Sequence, residues 1–356
     1  MLLLLEVLKY ERMTMLRQIK YFIFAGLLFL PAMMFAGLFS NPYNHFYADA
    51  GAVGYYLQQP KFEVGTLGVN QTLTGNTTVP LVKMNVNHWV PQLHLAGGYW
   101  FMNCNDNWLT RIFGNEEAFE ADLNYTYYQN IVRKKNLGLG NVWLINGSGS
   151  IFSPNTPKQL NNFKLSSRLN NIDTGVYFKG KLYTTNPKLV MIPKIGIVNT
   201  YYDNRYRYSL DYSQGDNFTK NTETFDVAVY YYGLALGDQL NYQINKHWMP
   251  FALLEVQLLN IHAILHATQD TGQNQVLTVN DSVSTFNYRA IAALGVRFQF
   301  YDTLKSPSLS LSGGVDHWNY VPSVVPPNRS GDKAVHLHGE SMNNGFVMID
   351  FNMPFG

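Results

Sequence analysis

The stretch STFNYRAIAALGVRFQFYD, residues 284–302, carries an apolar side chain at every second position. The even-numbered side chains from Phe286 to Phe300 are apolar, whereas Arg289 and Arg297 lie among the odd-numbered ones. An α-helix would mix these two sets at its period of about 3.6 residues, so the alternation predicts a β-strand with one apolar and one polar face. The apolar face has aromatic rings at both ends and small aliphatic side chains between them, which is typical of a strand that crosses a bilayer.

The last residues of the chain, NNGFVMIDFNMPFG (343–356), alternate in the same way. A strand at the end of a chain exposes unpaired backbone groups unless another strand covers its edge. We therefore predict that it pairs with the first strand, HFYADAGAVGYY (45–56), and closes the sheet into a barrel, as a lipid environment requires. The apolar positions of this predicted C-terminal sorting strand are Val347, Ile349, Phe351, Met353 and Phe355.

The composition of the 356 residues excludes several classes of protein. Charged residues make up 14% and aromatic residues 15%, the reverse of a disordered chain. The net charge of +2 lacks the basic excess of a nucleic-acid binder. The mean hydropathy of -0.13 resembles that of a soluble protein, but alternating strands average to the same value, so a membrane β-barrel remains compatible with it. Cys104 is the single cysteine, so an intrachain disulfide is impossible. We also predict no cofactor.

The N-terminal region has the layout of a secretory signal peptide. The stretch MLRQIKYFIFAGLLFLPAMMFA begins at Met15, with two basic residues, and continues with an uncharged run that ends at Ala36. We expect translation to start at Met15, or at Met13, and cleavage near Ala36; an uncleaved anchor is the alternative. Residues 1–36 would then be an upstream extension plus signal peptide, and residues 37–356 a single barrel domain.

Alternation recurs along the rest of the chain and predicts about ten strands, with a range of eight to twelve. The predicted strands are 44–58, 90–102, 117–130, 165–180, 188–202, 225–244, 250–266, 284–301, 308–320 and 344–355. Long and short connections alternate between them, which places all long loops at one end of an antiparallel barrel. The predicted long loops are 59–89, 131–164, 203–224, 267–283 and 321–343. This asymmetry is typical of a barrel in the outer membrane of a Gram-negative bacterium, with long outer loops and mostly short periplasmic turns.

The two faces of the strands predict which residues meet lipid and which line the lumen. A Lys or Arg at the bilayer midplane costs about 2–4 kcal/mol, so the charged positions belong inside. The predicted lumen residues are Glu120, Asp122, Asp173, Lys179, Lys194, Glu255, Arg289, Arg297 and Asp316. The predicted lipid-facing residues are Phe119, Leu123, Tyr125, Phe286, Tyr288, Leu294, Val296, Phe298 and Phe300.

Two central stretches, KLVMIPKIGIVNTYYDNRYR (188–207) and YYYGLALGDQLNYQINKHWMPFALLEVQLL (230–259), carry a further resemblance. With Pro193, Gly196, Gly233 and Gly237 they resemble the central hairpins of the Legionella-type pore-forming outer-membrane proteins. The chain end also resembles the sorting signature of bacterial outer-membrane proteins, although Gly356 follows the terminal aromatic residue. The resemblance implies a pore-forming barrel.

Two functions of the barrel remain open at this point. The lumen charges can line a narrow passive pore, or they can pair into a plug and leave a structural or surface-interaction barrel, because a small barrel is just filled by its own side chains. The expected partners are outer-membrane lipid and lipopolysaccharide, barrel-assembly machinery and periplasmic chaperones, and small solutes or ions if the lumen is open; nucleic acid is not expected.

Alternatives to a passive barrel are a lipid-modifying or proteolytic barrel enzyme and a secreted soluble all-β protein. His338 and Ser341 are three residues apart, a spacing that turns strand side chains away from each other. His262 and His266 would face together as metal ligands only on a helix. We therefore predict no catalytic and no metal-binding residues.

Overall fold

The computed structural model describes most of the chain from Asn44 onward. The described ranges are 44–58, 62–67, 79–84, 87–103, 105–148, 158–214, 217–272, 276–301, 306–327 and 332–355. The predicted signal peptide, its start and cleavage sites, and Cys104 lie outside these residues.

Twelve strands and one short helix form the described part of the chain. The strands are β1 His45–Gln58, β2 Phe62–Leu67, β3 Val79–Met84, β4 Asn87–Met102, β5 Glu116–Asn141, β6 Lys158–Tyr183, β7 Leu189–Gln214, β8 Asn217–Tyr242, β9 Trp248–Asp270, β10 Val276–Gln299, β11 Ser308–Val325 and β12 His336–Phe355. Helix α1, Trp108–Phe113, lies between β4 and β5 and is capped by the side chain of Asn107. No helix in the described part of the chain is long and apolar enough to span a membrane.

Ten of the strands close into an antiparallel barrel. Going round the ring, β1 pairs with β4, β4 with β5, and so on through neighbouring strands to β12, which pairs with β1. Phe355 lies opposite Phe46 in this last pair, so the terminal strand covers the edge of the first. The predicted fold class, strand number and mode of closure are confirmed. Strands β2 and β3 form a separate hairpin that joins the ring only where Thr66 and Leu67 meet the end of β5.

The two ends of the barrel differ in their connections. The turns between β6 and β7, β8 and β9, and β10 and β11 are short, and His45 and Phe355 lie at the same end as these turns. We call this the inner end and the opposite one the outer end. At the outer end, most of the predicted long loops are wrong: β7 continues to Gln214 and β8 begins at Asn217, so residues 203–214 and 217–224 are paired strands instead of a loop.

Strand β9 shows why sequence alternation failed to predict the outer halves of the strands. Toward the inner end its apolar side chains Leu254, Val256 and Leu258 point outward. From Leu259 onward most inward side chains are apolar, and the outward ones, except Ile264, are polar. The register with β8 and β10 is continuous through this point, so the change requires no bulge. Apolar residues change face because the strand leaves lipid and enters water while its inner face meets a packed core.

Asp238 is an exception on the lipid side. It shares the outward face of β8 with Leu236 and Leu240, and the register with β7 is unbroken around it. The outward position of Asp238 therefore does not result from a bulge in the strand. Asp238 is half-buried and lies opposite Pro193, which has no backbone N–H to donate to the ladder.

The outside of the barrel carries a belt of exposed apolar side chains. Leu294 is 71% exposed and Ile197 is 68% exposed, and neighbouring strands contribute Leu234, Leu254 and Ile349 at similar exposure. Exposed aromatic side chains border the belt toward both ends; they include Phe119, Tyr125, Tyr183, Tyr230, Tyr242, Trp248, Phe286, Tyr288, Phe300 and Phe355. An apolar band flanked by rings is the exterior of a membrane-spanning barrel, and a water-soluble protein would not present so large an apolar surface.

Candidate functional site: the barrel lumen

The outer half of the lumen is filled by a packed apolar core. Large side chains from several strands point inward there and are fully buried; they are Phe163, Leu165, Leu169, Tyr208, Leu210, Tyr212, Phe225 and Tyr231. Phe62 from β2 enters the same core and stacks on Tyr206 with a ring-centroid distance of 4.5 Å. We call this core, together with the segment 142–147, the lumen plug. An interior packed to this degree among the described residues favours a closed lumen over an aqueous path.

The segment 142–147 contributes Val142, Trp143 and Ile145 to the plug, each nearly or fully buried. One side chain of the barrel wall holds it: Gln269 Nε2 donates to the Trp143 carbonyl at 3.2 Å, and Gln269 Oε1 accepts from the Ile145 amide at 3.0 Å. Gln269 also donates to Glu223 at 2.6 Å, and Asn221 donates to the same carboxyl oxygen at 2.9 Å. The segment 142–147 is thus fixed inside the barrel by a polar network that is itself buried.

Glu223 gives this network a pH dependence. Burial raises the pKa of Glu223 to about 7, above its ordinary value of 4.5, although the hydrogen bonds from Tyr208, Asn221 and Gln269 act in the opposite direction. A raised folded-state pKa favours the protonated form in the fold. The contribution of protonated Glu223 to the stability of the fold is therefore fully present below about pH 4.5 and is lost as the pH rises toward 7.

We expect the lumen plug to loosen as the pH rises from 4.5 to 7, and we expect the Glu223→Gln variant to show no such pH dependence. The hydrogen-exchange rate of the Ile145 amide, which donates to Gln269, measures this loosening directly. Protection of this amide should fall between pH 4.5 and 7 in the unchanged chain, once the intrinsic rate is corrected for, and should stay level in Glu223→Gln. An equal slope in both proteins would contradict the assignment.

The inner half of the lumen is a polar cavity of about 700 Å³. The turn residues Pro187 and Lys246 belong to its lining, so the cavity opens at the inner end, whereas the lumen plug lies beyond its outer end. All nine predicted lumen residues line it: Glu120, Asp122, Asp173, Lys179, Lys194, Glu255, Arg289, Arg297 and Asp316. The inward side chains of the terminal strand, including Asp350 and Asn352, line it as well.

Arg289 ties opposite walls of the barrel together. Its guanidinium forms two hydrogen bonds of 2.8 Å with the carboxylate of Asp316 on β11, and its Nη1 lies 3.3 Å from Asp173 on β6. Strand β6 stands four places from β10 in the ring, so the ion pair with Asp173 crosses the lumen. Tyr55 and Trp318 donate to Asp316, and Trp318 also lies under the guanidinium, 4.1 Å from it. These groups form a charged layer between the cavity and the lumen plug.

Two further ion pairs lie nearer the inner end. Lys194 on β7 pairs with Glu255 on β9, and Gln257 donates to Glu255 at 2.6 Å. Lys179 pairs with Glu120 on the neighbouring strand, and Tyr47 from β1 donates to the same carboxylate. The predicted lumen charges are therefore largely paired with each other, an arrangement that favours closure over conduction.

Two of the glycines singled out in the sequence have a role in this packing. An added Cβ at Gly196 would lie 2.5 Å from the ring of Tyr177, and one at Gly237 would lie 2.8 Å from Lys194. Both glycines leave room for an inward side chain of the adjacent strand to lie against the barrel wall. Tyr177 then directs its hydroxyl toward Glu255 at 3.4 Å.

The predicted lipid-facing residues lie on the outer side of the strands. Those that are more than a third exposed are Phe119, Tyr125, Phe286, Tyr288, Leu294 and Phe300, whereas Leu123, Val296 and Phe298 are half-buried. In the terminal strand, Val347, Ile349, Met353 and Phe355 are exposed and Phe351 is half-buried.

The weaker chemical candidates do not assemble into a site. Asp316 points into the lumen, whereas its neighbour His317 lies on the opposite face of β11, is half-buried, and has its Nδ1 2.8 Å from Asn343. His262 and His266 are exposed on the outside and contact Ser284 and Asn280 respectively. Among the described residues, no group of three or more His, Cys, Asp or Glu side chains could hold a metal ion.

Sequence reasoning missed two groups of lumen residues. Tyr47, Tyr55 and Tyr177 were not recognised as hydrogen-bond donors to lumen carboxylates, although Tyr47 shares its face with Asp49 and Tyr177 shares its face with Asp173. The lumen plug was missed because its strands were interpreted as loops. The inverted alternation of the outer strand halves was the signal that could have revealed both the strands and the core between them.

Comparison with known proteins gives a limited result. Neither a protein-family model nor a curated protein matches the sequence, so the resemblance to the Legionella-type proteins stays a prediction. Among solved structures, the outer membrane protease OmpT from Escherichia coli is similar at 12% identity and a TM-score of 0.45, covering 87% of this chain and 97% of that chain. The P. putida toluene transporter TodX is similar at 11% identity and a TM-score of 0.25, covering 89% and 91%. A Pseudomonas aeruginosa FadL homologue is similar at 10% identity and a TM-score of 0.23, covering 89% and 93%. At such values the likenesses carry no argument about activity.

Proposed function

We propose that this chain is an outer-membrane β-barrel with a closed lumen, a structural and surface-interaction protein instead of a passive pore. Three features support the membrane assignment: the closed ring, the exposed apolar belt and the aromatic side chains on both of its borders. Both described ends of the barrel domain lie at the inner end with the short turns, so this end would face the periplasm and the extended hairpins the exterior.

The filled outer half of the lumen is the observation that carries closure. A conducting barrel of this size needs a continuous polar path, but Tyr208, Phe225 and Ile145 are fully buried in the lumen plug. The Arg289 layer beneath the plug adds an ion pair across the lumen. The polar cavity of about 700 Å³ is therefore a vestibule open at one end.

Planar-bilayer recording tests the proposal. The folded barrel should insert without discrete conductance steps under conditions in which an established porin gives them. Insertion is verified on the same preparation by heat-modifiable gel migration. Reproducible steps of one size from verified barrels would overturn closure and restore the narrow-pore interpretation.

A lipid-modifying enzyme is the second candidate, and one contact favours it. His262 Nδ1 lies 2.9 Å from Ser284 Oγ at the outer aromatic border, where a histidine base could activate a serine toward lipid esters. Within the described part of the chain, no carboxylate or amide is hydrogen-bonded to the other ring nitrogen of His262. We therefore expect no release of fatty acid from phospholipid vesicles. Release that disappears in both His262→Ala and Ser284→Ala would establish the enzyme instead.

A further inference from the structure

Basic side chains are concentrated on one sector of the barrel exterior. Strands β5, β6 and β7 carry six of them on their outward faces toward the outer end, which we call the basic patch: Arg133, Lys135, Lys164, Arg168, Arg205 and Arg207. Strands β1, β4, β11 and β12 contain no Lys or Arg within their bounds, and the two arginines of β10 point into the lumen. Strand β9 has none either and presents His262 and His266 at this height. Strand β8, next to β7, carries Lys220, which is exposed and lies opposite Asp211. The basic side chains of the strand exteriors are thus concentrated on β5–β8.

The register places these residues next to one another. Arg168 lies opposite Arg205, and Lys164 lies opposite Arg133. Arg207 follows Arg205 on the same face and lies opposite Ser166. Like charges directly opposite on neighbouring strands destabilise a sheet unless a counter-charge is supplied.

The protein supplies only part of that counter-charge. Asp203 lies 3.7 Å from Arg168, and Asp226 pairs with Arg205. Asp211 lies on the same outward face of β7 and accepts a hydrogen bond from Asn162. Six basic and three acidic side chains thus leave a formal charge of about +3 on the patch. Nε of Arg168 is buried and has no hydrogen-bond acceptor among the described residues.

The height of the patch above the membrane belt matches a headgroup region. A row of aromatic residues runs across the same strands. Tyr125 on β5 pairs with Ile172 on β6, Ile172 pairs with Tyr201 on β7, and Tyr201 pairs with Tyr230 on β8. Arg205 is four residues beyond Tyr201, which is about 10 Å along the barrel axis for a strand rise of about 3.3 Å and a tilt of about 40°. Aromatic rings mark the border of the hydrocarbon, so side chains about 10 Å farther out meet phosphates and sugars.

The neighbours of the patch favour a ligand that carries sugar as well as phosphate. Amide and hydroxyl groups alternate with the basic side chains on the same face, and the nearest are Gln129, Asn162, Ser166, Asn170 and Ser209. Guanidinium groups bind phosphate oxygens through paired hydrogen bonds, and amides and hydroxyls pair with sugar hydroxyls.

We propose that the basic patch is a binding site for the phosphorylated glucosamine headgroup of the outer-leaflet glycolipid. This inference rests on the orientation of the barrel proposed above, with the hairpin end outside. One glycolipid would bind along β5–β7 on the outside of the barrel and would complete the charge balance of the arginines. Because the site lies on the exterior, it does not depend on whether the lumen is closed.

Lipid binding by the folded barrel in zwitterionic micelles tests the site. The probe is bisphosphorylated lipid A, compared with dephosphorylated lipid A and with phosphatidylglycerol. The triple variant Arg168→Gln, Arg205→Gln, Arg207→Gln should bind bisphosphorylated lipid A at least tenfold more weakly than the unchanged chain. The matched control is Arg111→Gln, Lys188→Gln, two exposed basic residues at the inner end, and its affinity should be unchanged.

A second variant separates loss of binding from loss of fold. Arg133→Gln, Lys164→Gln leaves both Asp–Arg pairs intact and should still weaken binding several-fold. Equal affinity in the triple variant and the unchanged chain would overturn the proposal. So would equal affinity for lipid A with and without its phosphates, or equal competition by phosphatidylglycerol, which would indicate attraction to any anionic surface. Conductance steps would refute the closed lumen and leave this result unaffected, so the two proposals fail separately.

Discussion

Arg289→Ala is expected to lower the free energy of unfolding by about 3–5 kcal/mol, the usual cost of removing one partner from a buried ion pair. The substitution leaves the carboxylates of Asp173 and Asp316 without their shared cation, and both are nearly fully buried. It also removes the contact across the lumen between β6 and β10. Urea unfolding of the barrel in lipid vesicles, followed by tryptophan fluorescence, measures the change, since Trp318 lies against the guanidinium.

Arg297→Ala is the matched control for this prediction. Arg297 lies on the same inward face of β10, eight residues nearer the inner end, and forms no ion pair among the described residues. Its removal should leave the barrel folded and change its stability little. Similar losses for both variants would indicate that the inward face of β10, and not the ion pair across the lumen, determines the effect.

Leu294→Arg is expected to destabilise the barrel by about 2–4 kcal/mol in a bilayer, the cost of a cation at the midplane. Leu294 is 71% exposed in the middle of the apolar belt, so the new guanidinium would meet lipid instead of a protein partner. The same vesicle-based unfolding experiment measures the loss. In detergent micelles the effect should be smaller, because water reaches the surface more easily.

Ser282→Arg provides the depth control on the same strand and the same face. Ser282 is exposed and lies beyond the aromatic border marked by Phe286, where the cost of a cation falls to about 0–1 kcal/mol. Equal effects at Ser282 and Leu294 would place the membrane somewhere other than on the belt, and the assignment of the lipid-facing surface would be lost.

Polarity at alternate positions was enough to predict the faces of the inner strand halves. A charged side chain is costly in lipid, so the inward position of each of the nine predicted lumen charges follows from its parity along a strand, whereas Asp238 lies on the outward face. The same reasoning identified the terminal strand and its pairing with β1. Closure follows because no sheet edge is stable in hydrocarbon.

The outer strand halves could not be predicted in this way, because their environment reverses. Above the aromatic border, water is outside and a packed core is inside, so Arg207 points outward and Tyr208 inward on the same strand. If apolar side chains are expected to point outward along the whole strand, the sequence of these segments is interpreted as polar loops. The extended hairpins and the core between them were therefore not predicted from the sequence.

What the sequence by itself determined is the barrel: its strand number, its closure and the inward side of the nine predicted lumen charges, all consequences of local alternation and the solvation cost of polar groups in lipid. Whether the lumen is blocked was decided only by the tertiary structure. Closure depends on contacts between residues far apart in the chain, such as Arg289 with Asp173 and Gln269 with Ile145. Such contacts arise when the ring brings opposite walls within reach, and no local pattern specifies them.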